Sequence, residues 1–354
     1  MKTNFELEEQ KAKVKLSKNS NKLKKNKNRN FIFSPEWLAG FTQTDGSFVI
    51  SFEATNNKKG LPVRPVAIFN LSQSNKELDM FVALQQWLNV GKVYRNREGV
   101  IFVVKDIKSI INVILPLFDQ SLLRGGKFTS YIQFKKIVLL MAENQHLNLK
   151  GLLKIVDLGF FMNPDTTNRT IEGKAKLLES LKSYAIQNNL TFEVPESEME
   201  ISKIRPLKPL TKEFVRGLVD GDGSFNFAFV TKQRKINSNF TLTHELASLS
   251  VLYELQLFFQ CGYVNQLPTA AARYQVQNLN SIMNNIIPVF QDMEFNTRRQ
   301  EHFLIFKEVC EILKNEGIKT DSNLRRVVNL AWEMNDSGRR KLTKSQYIQK
   351  FTKK

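Results

Sequence analysis

One stretch of the sequence occurs twice, and this duplication limits the possible folds more than any other feature. Residues 35–48 read PEWLAGFTQTDGSF, and residues 214–225 read FVRGLVDGDGSF. In both copies an apolar, helix-like segment ends at Asp-Gly-Ser-Phe, with a glycine five residues before the acid. A repeat at domain spacing predicts two similar domains.

The acid of each copy, Asp45 or Asp222, falls where a helix is predicted to end, because glycine follows it. Negative charge is disfavoured at that end of a helix by about 0.3 to 1 kcal/mol. Aspartate before glycine is also common in ordinary turns. Its presence at the same unfavourable place in both copies favours a functional role.

Small residues lie four apart on one face of each predicted helix. They are Gly40 and Thr44 in the first copy, and Gly217 and Gly221 in the second. Small residues at this spacing let two helices approach closely. If the helices pack as a pseudo-twofold pair, the two acids emerge side by side. Paired carboxylates, with water and phosphate oxygens, suit Mg²⁺, and such a site can activate water for phosphodiester hydrolysis.

The charge balance indicates a polyanionic partner. The 354 residues suffice for two domains, and the net charge is +18 with a pI near 9.7. Nucleic acid is favoured over a membrane, because the sequence has no apolar run of spanning length. Two cysteines and three scattered histidines form neither a disulfide framework nor a zinc motif.

Each motif is followed by the same order of predicted elements: strand, strand, helix, strand, strand, helix. Period-two alternation marks the strands, as in Phe48, Ile50 and Phe52 of the first copy. The predicted fold class is α+β, with two pseudo-twofold-related αββαββα domains. Each domain has a four-stranded antiparallel sheet, saddle-shaped and backed by helices.

The domain limits follow from composition and motif positions. The two domains are predicted at residues 31–162 and 211–354, joined by an interdomain linker at 163–210 that includes a charged, helix-like piece. Residues 1–30 contain long Lys-Asn-Ser tracts and few apolar residues. They predict a disordered basic arm, which either adds phosphate contacts or is left from fusion to an upstream reading frame.

These motifs resemble those of a known family. LAGFTQTDG at residues 38–46 and VRGLVDGDG at residues 215–223 are similar to the two motifs of single-chain LAGLIDADG homing endonucleases, of the organellar group I intron type. The resemblance covers roughly residues 31–350. The first copy has Gln43 where the second has Asp220 and the family has an acid, at a position that is not the family's metal ligand.

The resemblance implies a monomeric, site-specific DNA endonuclease. Such an enzyme recognises a long asymmetric duplex site through the major groove and hydrolyses both strands, leaving short 3′ overhangs. The resemblance also implies that Asp45 and Asp222 are the metal ligands. Two or three Mg²⁺ ions are expected, with Mn²⁺ able to substitute and Ca²⁺ binding without cleavage.

Four further residues match polar positions of the family's site. Lys127 and Arg299 stand at the start of the last core helix and correspond to a basic residue that stabilises phosphate charge or orders the attacking water. Arg299 departs from the usual lysine. Gln73 and His244, at the ends of second strands, match a water-positioning place. The alternatives are a phosphate contact or surface cation for the basic pair, and a plain cross-strand role for His244.

The polar face of each predicted sheet supplies candidate DNA contacts. Asn, Gln and Arg make bidentate contacts to base edges, and strands can lie in the major groove. Ile101 and Val103 on this face suit thymine methyl groups or pack against a neighbouring strand. The candidates are Ser51, Glu53, Arg64, Asn70, Ser72, Lys92, Tyr94, Asn96 and Lys105 in the first domain, and Asn226, Lys232, Arg234, Asn239, Thr241, Thr243, Asn265, Arg273, Gln275 and Gln277 in the second.

Two alternatives use the same fold. One is a group I intron maturase, which would bind intron RNA, and the other is a DNA-binding protein with a dead site. Loss of either acid would favour these, and both acids are present. The abundance of Lys, Asn, Ile and Phe, which have A/T-rich codons, predicts synthesis inside a mitochondrion.

Overall fold

A computed structural model of the chain describes residues 29–56, 60–97, 99–121, 123–160, 162, 170–195, 208–334 and 342–352. The chain divides into two compact units. The first unit includes Asp45–Lys208, and the second joins Asn30–Thr44 to Pro209–Lys354. The predicted basic arm lies outside the described residues, except for Arg29 and Asn30.

The first motif helix, α1 (Pro35–Asp45), belongs to the second unit up to Thr44. The first unit then contains β1 (Gly46–Ala54), β2 (Val63–Gln73), α2 (Leu78–Leu88), β3 (Lys92–Arg95), β4 (Val100–Val104), α3 (Ile107–Ser109, a π-helical turn Ile110–Ile114, and Leu115–Gln120), α4 (Gly125–Ala142), α5 (Leu149–Phe160) and α6 (Ile171–Gln187). Short 3₁₀ turns lie at Asn75–Glu77 and Gln145–Leu147.

The four strands form one antiparallel sheet in the order β1-β2-β4-β3. Alternating apolar residues face the helices, because successive strand side chains point to opposite faces. Phe48, Phe69 and Phe118 pack together in this core with ring centroids 5.2 to 5.4 Å apart. The sheet therefore has one face buried under helices, as the alternation predicts.

Helices α5 and α6 add a second, smaller core to the first unit. Leu152, Val156 and Leu181 are fully buried there, and Phe52 of β1 packs against them. Lys174 of α6 also bonds Asp157 of α5 at 2.9 Å. The charged, helix-like piece predicted within the linker is thus a helix packed on the first unit.

The second unit repeats this plan. After α1 it contains α7 (Lys212–Asp222), β5 (Gly223–Val230), β6 (Lys235–Glu245), α8 (Leu249–Phe259), β7 (Tyr263–Gln266), β8 (Ala271–Val276), α9 (Leu279–Ser281, a π-helical turn Ile282–Ile286, and Ile287–Phe290), α10 (Arg299–Asn315), α11 (Asp321–Glu333) and α12 (Lys344–Thr352), with short 3₁₀ turns at Thr231–Gln233 and Leu246–Ser248.

The second sheet has the equivalent order β5-β6-β8-β7 and is also antiparallel. Two four-stranded antiparallel sheets with helices confirm the predicted α+β class. The π-helical turns of α3 and α9 recur at the same place, just before Pro116 and Pro288. Proline has no backbone N–H to continue the α-helical hydrogen bonds, so a wider turn occurs there in both repeats.

The repeated unit is longer than the sequence analysis predicts. Helices α11 and α12 bury Leu324, Val328 and Phe351 in a cluster that also includes Ile236 of β6. Helices α5 and α6 occupy the equivalent place in the chain, since each pair follows the last predicted core helix of its repeat. The predicted first domain, residues 31–162, includes α5 but ends before α6, which the prediction places in the linker.

Within the second unit, α1 and α7 approach so closely that only glycine fits at the contact. A Cβ at Gly40 would lie 2.0 Å from the carbonyl oxygen of Phe214. A Cβ at Gly217 would lie 2.1 Å from the carbonyl oxygen of Trp37. The predicted close approach of the two motif helices is therefore present at these two glycines.

The beginnings of α1 and α7 are also tied together. Ser34, just before α1, donates to Glu213 in the first turn of α7 at 3.5 Å. Arg216 donates to the carbonyl of Ile32 at 2.8 Å and to Glu213 at 2.7 Å. Because the helices are close both at their beginnings and at the glycines, they run side by side in the same direction.

Arg216 gives a stability prediction. Its guanidinium is 1% exposed, bonds the carbonyls of Ile32 and Glu294 at 2.8 Å each, and lies over the Trp37 ring. Arg216→Met removes these bonds, although Asn296 still donates to the Ile32 carbonyl at 2.7 Å, and should lower the free energy of unfolding by about 2 kcal/mol. Urea denaturation measures this loss.

The matched control for Arg216→Met is Arg326→Met. Arg326 makes an ion pair with Glu308 at 2.7 Å, but about half of its side chain is exposed. This change should cost at most about 0.5 kcal/mol. Equal costs at the two positions would contradict a structural role for the Arg216 contacts.

Candidate active site and sheet surfaces

Two predicted site residues of the first unit lie near the first motif acid: Gln73 bonds the acid, and Lys127 bonds the residue that follows it. Asp45 is the last residue of α1, directly before β1. Gln73, at the end of β2, donates from Nε2 to Asp45 Oδ2 at 2.8 Å. Lys127, in the first turn of α4, donates from Nζ to the carbonyl oxygen of Gly46 at 2.6 Å. The structure thus brings Asp45, Gln73 and Lys127 to one end of β1.

The second motif acid has a related setting in the second unit. Asp222 ends α7, and its side chain is exposed. Arg299, the first residue of α10, donates from Nη2 to the carbonyl oxygen of Gly221 at 3.3 Å. In each repeat a basic side chain at the start of the last predicted core helix therefore bonds a peptide that flanks the motif acid.

The glycine after the second acid differs from the expected helix-ending glycine. Gly223 is extended, with φ −64° and ψ 143°, and is the first residue of β5. Its lack of a side chain is needed for space, since a Cβ would lie 2.5 Å from Val219 Cγ1. The helix therefore passes directly into the strand, and the acid lies at that junction.

His244 and Gln43 meet inside the second unit. The Nε2 atoms of the two side chains lie 3.4 Å apart, and Gln43 Nε2 also donates to Ser248 at 3.4 Å. His244 is 8% exposed and opposes Ala272 in the sheet. His244 therefore lies opposite a residue of the neighbouring strand and also contacts Gln43 of the first motif.

Asp220, the earlier acid of the second motif, is a buried residue with four donors. Its carboxylate accepts from Trp37 Nε1 at 2.7 Å and from the backbone N–H of Asn296 at 3.0 Å. It also accepts from the backbone N–H and the hydroxyl of Thr297, at 2.9 and 2.7 Å. Burial raises the pKa of Asp220, and the bonds from Thr297, Trp37 and Asn296 oppose that rise. Sequence reasoning did not assign Asp220 a role.

The other two residues predicted for the helix contact make local bonds. The Thr44 hydroxyl donates to the carbonyl of Phe41, one turn back in α1, at 2.9 Å. The carbonyl of Gly221 accepts from Arg299. A contact of these two residues across the helix pair stays a prediction.

The strand register of the second sheet puts the predicted contacts on one face. Asn226 opposes Asn239, and Arg273 opposes both Thr243 and Asn265, so their side chains project to the same side. The pairs Ser224–Thr241 and Thr241–Gln275 continue this face. The face is therefore continuous and rich in amide and guanidinium groups.

Hydrogen bonds order part of this second face. Arg273 Nε donates to Thr243 at 3.1 Å, and Gln275 donates to Asn239, which is 6% exposed, at 3.3 Å. Tyr263, which sequence reasoning missed, lies on the same face and donates to Gln277 at 2.9 Å. Its two-residue spacing from Asn265 in β7 is the signal that could have found it.

Two predicted contacts of the second repeat lie at the turn between β5 and β6. Lys232 is in the 3₁₀ turn and Arg234 follows it, both with exposed side chains. Arg234 has φ +47°, a left-handed conformation that is uncommon for a non-glycine residue. The turn thus presents two cations beyond the end of the sheet.

The first sheet carries a different surface on the equivalent face. Arg64 and Glu53 oppose each other and form an ion pair at 2.9 Å. Val103 opposes Asn70 and is 5% exposed, so packing against neighbouring strands explains an apolar residue on this face. Ile101 is half-buried. The remaining predicted contacts of this face are Ser51, Ser72, Lys92 and Tyr94, which share the face by register, and Asn96 and Lys105, which lie just beyond β3 and β4.

Asn96 has a turn role as well. Its side chain accepts from the backbone N–H of Gly99 at 2.8 Å, and its backbone N–H donates to the Gly99 carbonyl at 2.9 Å. This pattern closes the connection between β3 and β4. A DNA contact from Asn96 stays a prediction.

Comparison with known proteins tests the resemblance. The sequence profile described as LAGLIDADG endonuclease matches residues 38–138 and 215–310. The chain belongs to the LAGLIDADG endonuclease family. The family motif is present twice, as the duplicated stretch predicts, and each match ends within α4 or α10.

Curated relatives agree with this assignment. The "Probable intron-encoded DNA endonuclease 1" of Mycosarcoma maydis is 39% identical over 275 residues, covering 77% of this chain and 98% of the relative. The "Probable intron-encoded endonuclease 2" of Neurospora crassa is 27% identical over 302 residues, covering 84% of this chain and 64% of the relative.

Solved structures show the same fold. The I-SmaMI LAGLIDADG homing endonuclease bound to cleaved DNA has a TM-score of 0.71 at 23% identity, covering 87% of this chain and 99% of that chain. I-SmaMI bound to an uncleaved DNA target in the presence of calcium ions has a TM-score of 0.70 at 22% identity, covering 86% of this chain and 99% of that chain.

The available donors fit a hard, hydrated cation. Among the described residues, no three His, Cys, Asp or Glu side chains lie together as a ready-made metal cage. Each motif helix instead ends in one carboxylate, with main-chain carbonyls beside it. Oxygen donors of this kind, completed by water and phosphate, are those of Mg²⁺.

Within the part of the chain that the structure describes, every helix is too short or too polar to cross a bilayer.

Proposed function

We propose that this LAGLIDADG-family protein is a site-specific double-strand DNA endonuclease that depends on a divalent metal. One observation carries the proposal: each motif helix ends in a carboxylate, and a basic side chain bonds the peptide beside it. Carboxylates with nearby cations are suited to bind a metal and a phosphodiester together.

Asp45 and Asp222 are the proposed metal ligands. Each acid is the last residue of its motif helix, directly before a strand, and this repeated position supports the assignment. Bound Mg²⁺, in two or three sites, would supply Lewis-acid stabilisation and a more acidic water. Mn²⁺ should replace it, and Ca²⁺ should support binding only.

The protein's own side chains have defined roles in the proposed reaction. Gln73 fixes the orientation of Asp45 through its 2.8 Å bond. Lys127 and Arg299 place positive charge where phosphate charge develops during hydrolysis. His244 is the proposed water-positioning counterpart of Gln73 in the second repeat.

The polar sheet faces are the proposed DNA-reading surfaces. The second face is rich in Asn, Gln and Arg, whereas the first combines an ion pair with Tyr94 and Ile101. Two unlike surfaces in one chain would read a long asymmetric site in the major groove. The solved relatives bound to DNA support this partner.

Several finer statements belong to the same proposal. The protein acts as a monomer and leaves short 3′ overhangs. It is made inside a mitochondrion from an intron gene, a source supported by the intron-encoded relatives. Both acids are present, and the described structure gives no specific support to the maturase or dead-site alternative.

A cleavage selection tests this function. A randomised duplex library is incubated with the protein in Mg²⁺, and cleaved members are sequenced. We expect one long, non-palindromic site, cut on both strands in Mg²⁺ or Mn²⁺ and bound but uncut in Ca²⁺. Chelation with EDTA should abolish cutting. Binding of the selected site without cutting in either Mg²⁺ or Mn²⁺ would contradict the nuclease proposal.

A further inference from the structure

A chain of hydrogen bonds leads from Asp220 to Arg299. The hydroxyl of Thr297 donates to Asp220 at 2.7 Å and accepts from the backbone N–H of Arg299 at 3.3 Å. Thr297 is 3% exposed and Asp220 is 1% exposed, so water does not compete for these bonds. The start of α10 is therefore fixed to the motif helix α7 through one buried hydroxyl.

The series of hydrogen bonds from Asp220 through Thr297 to Arg299 returns to α7 beside the second motif acid. Arg299 reaches back from α10 and donates to the carbonyl of Gly221 at 3.3 Å. Gly221 lies between Asp220 and Asp222 in sequence. The ring of contacts thus sets where the Arg299 cation sits relative to the end of α7.

The carboxylate of Asp220 can accept all the hydrogen bonds that hold the turn before α10. It faces four donors, two from backbone N–H groups of residues 296 and 297, and a carboxylate has acceptor sites for all four. Both backbone donors belong to the turn that leads into α10. Asp220 consequently holds the turn as a rigid entry to the helix that carries Arg299.

The first repeat has a different residue at this motif position. Gln43 stands at the equivalent motif position but bonds Ser248 of the second unit. Lys127 instead reaches the Gly46 carbonyl directly, at 2.6 Å. The second repeat thus has a buried acid at this motif position, where the first repeat has an amide.

Building on the proposed function, we propose that Asp220 is a positioning residue for Arg299, acting through Thr297, and serves the cutting of one DNA strand. In this proposal Lys127 and Arg299 each serve the cutting of one DNA strand. Displacing Arg299 should then slow that strand alone, while the strand that depends on Lys127 is cut normally. A displacement of about 1 Å can cost about a hundredfold in rate.

Strand-resolved cleavage of the selected duplex tests this role. The two 5′ ends carry different dyes, and single-turnover rates are measured in Mg²⁺ at saturating protein. Arg299→Ala and Lys127→Ala first identify the strand that each cation serves. Asp220→Asn should slow the Arg299 strand by about ten- to a hundredfold, with the other strand and the affinity in Ca²⁺ changed less than about twofold.

Two conservative substitutions of Thr297 provide the matched control. Thr297→Val removes the hydroxyl at nearly constant volume and should show the same one-strand defect. Thr297→Ser keeps the hydroxyl and should restore the rate of that strand to within about threefold of the wild-type value. This pair decides the proposal even if Asp220→Asn fails to fold.

The outcomes separate this proposal from the function on which it rests. If the wild-type protein cuts both strands but the variants slow both equally, or neither, the positioning role is overturned and the nuclease stands. Equal rates for Thr297→Val and Thr297→Ser would also overturn it. A wild-type protein that cuts no duplex overturns both proposals.

Discussion

Asp222→Asn is expected to reduce double-strand cleavage at least about a thousandfold, a loss of about 4 kcal/mol of transition-state stabilisation. Asparagine has the size of aspartate but no negative charge, so it is a poor ligand for a hard divalent cation. Asp222 is exposed at the end of α7, so the change should leave the fold intact. Asp45→Asn should behave in the same way.

The measurement is cleavage of the selected duplex in Mg²⁺, with binding measured separately in Ca²⁺. Affinity should change less than about threefold, because the proposed base and phosphate contacts come from the sheets and the basic surface. Asp79→Asn is the matched control, since Asp79 is an exposed helix residue at the first turn of α2. Full cleavage by the Asp45→Asn/Asp222→Asn double variant would refute the metal assignment.

The part of the fold that sequence reasoning predicts is the part governed by short-range patterns. The period-two alternation gave both strands of the first hairpin, and the structure has them at Gly46–Ala54 and Val63–Gln73. Two equal sheets then follow, because the same pattern recurs after the second motif. The repeated acid could be found from the sequence pattern, and the basic residues near it from the resemblance to the family.

The helices that sequence reasoning missed carried a readable signal. Leu149, Leu152, Leu153 and Val156 follow the i, i+3, i+4, i+7 spacing of an amphipathic helix, and all four are buried in α5. The equivalent α11 has Leu324, Val327, Val328 and Ala331 at the same spacing. These helices could have been predicted by extending the comparison of the two repeats to residue 352.

Other features depend on contacts that no local pattern contains. Asp220 meets Asn296 and Thr297 across more than seventy residues of sequence. The assignment of α1 to the second unit likewise depends on its packing against α7. Such contacts are set by three-dimensional packing, so the role of Asp220 required the structure.

Gly40→Ala and Gly217→Ala are each expected to lower the free energy of unfolding by at least about 3 kcal/mol. The new methyl carbons would lie 2.0 and 2.1 Å from backbone oxygens of Phe214 and Trp37, and a backbone cannot move aside as a flexible side chain can. Helices α1 and α7 must therefore separate, which loosens their buried contact. Urea denaturation of each variant measures the loss.

Gly173→Ala is the matched control for the glycine pair. Gly173 is also helical, in α6, but a Cβ there meets only the Thr170 hydroxyl, at 3.3 Å, and that side chain can shift. Alanine generally favours a helix over glycine by about 0.5 to 1 kcal/mol, so this variant should stay within about 1 kcal/mol of the wild-type protein. Wild-type stability of both Gly40→Ala and Gly217→Ala would show that α1 and α7 do not depend on this close approach.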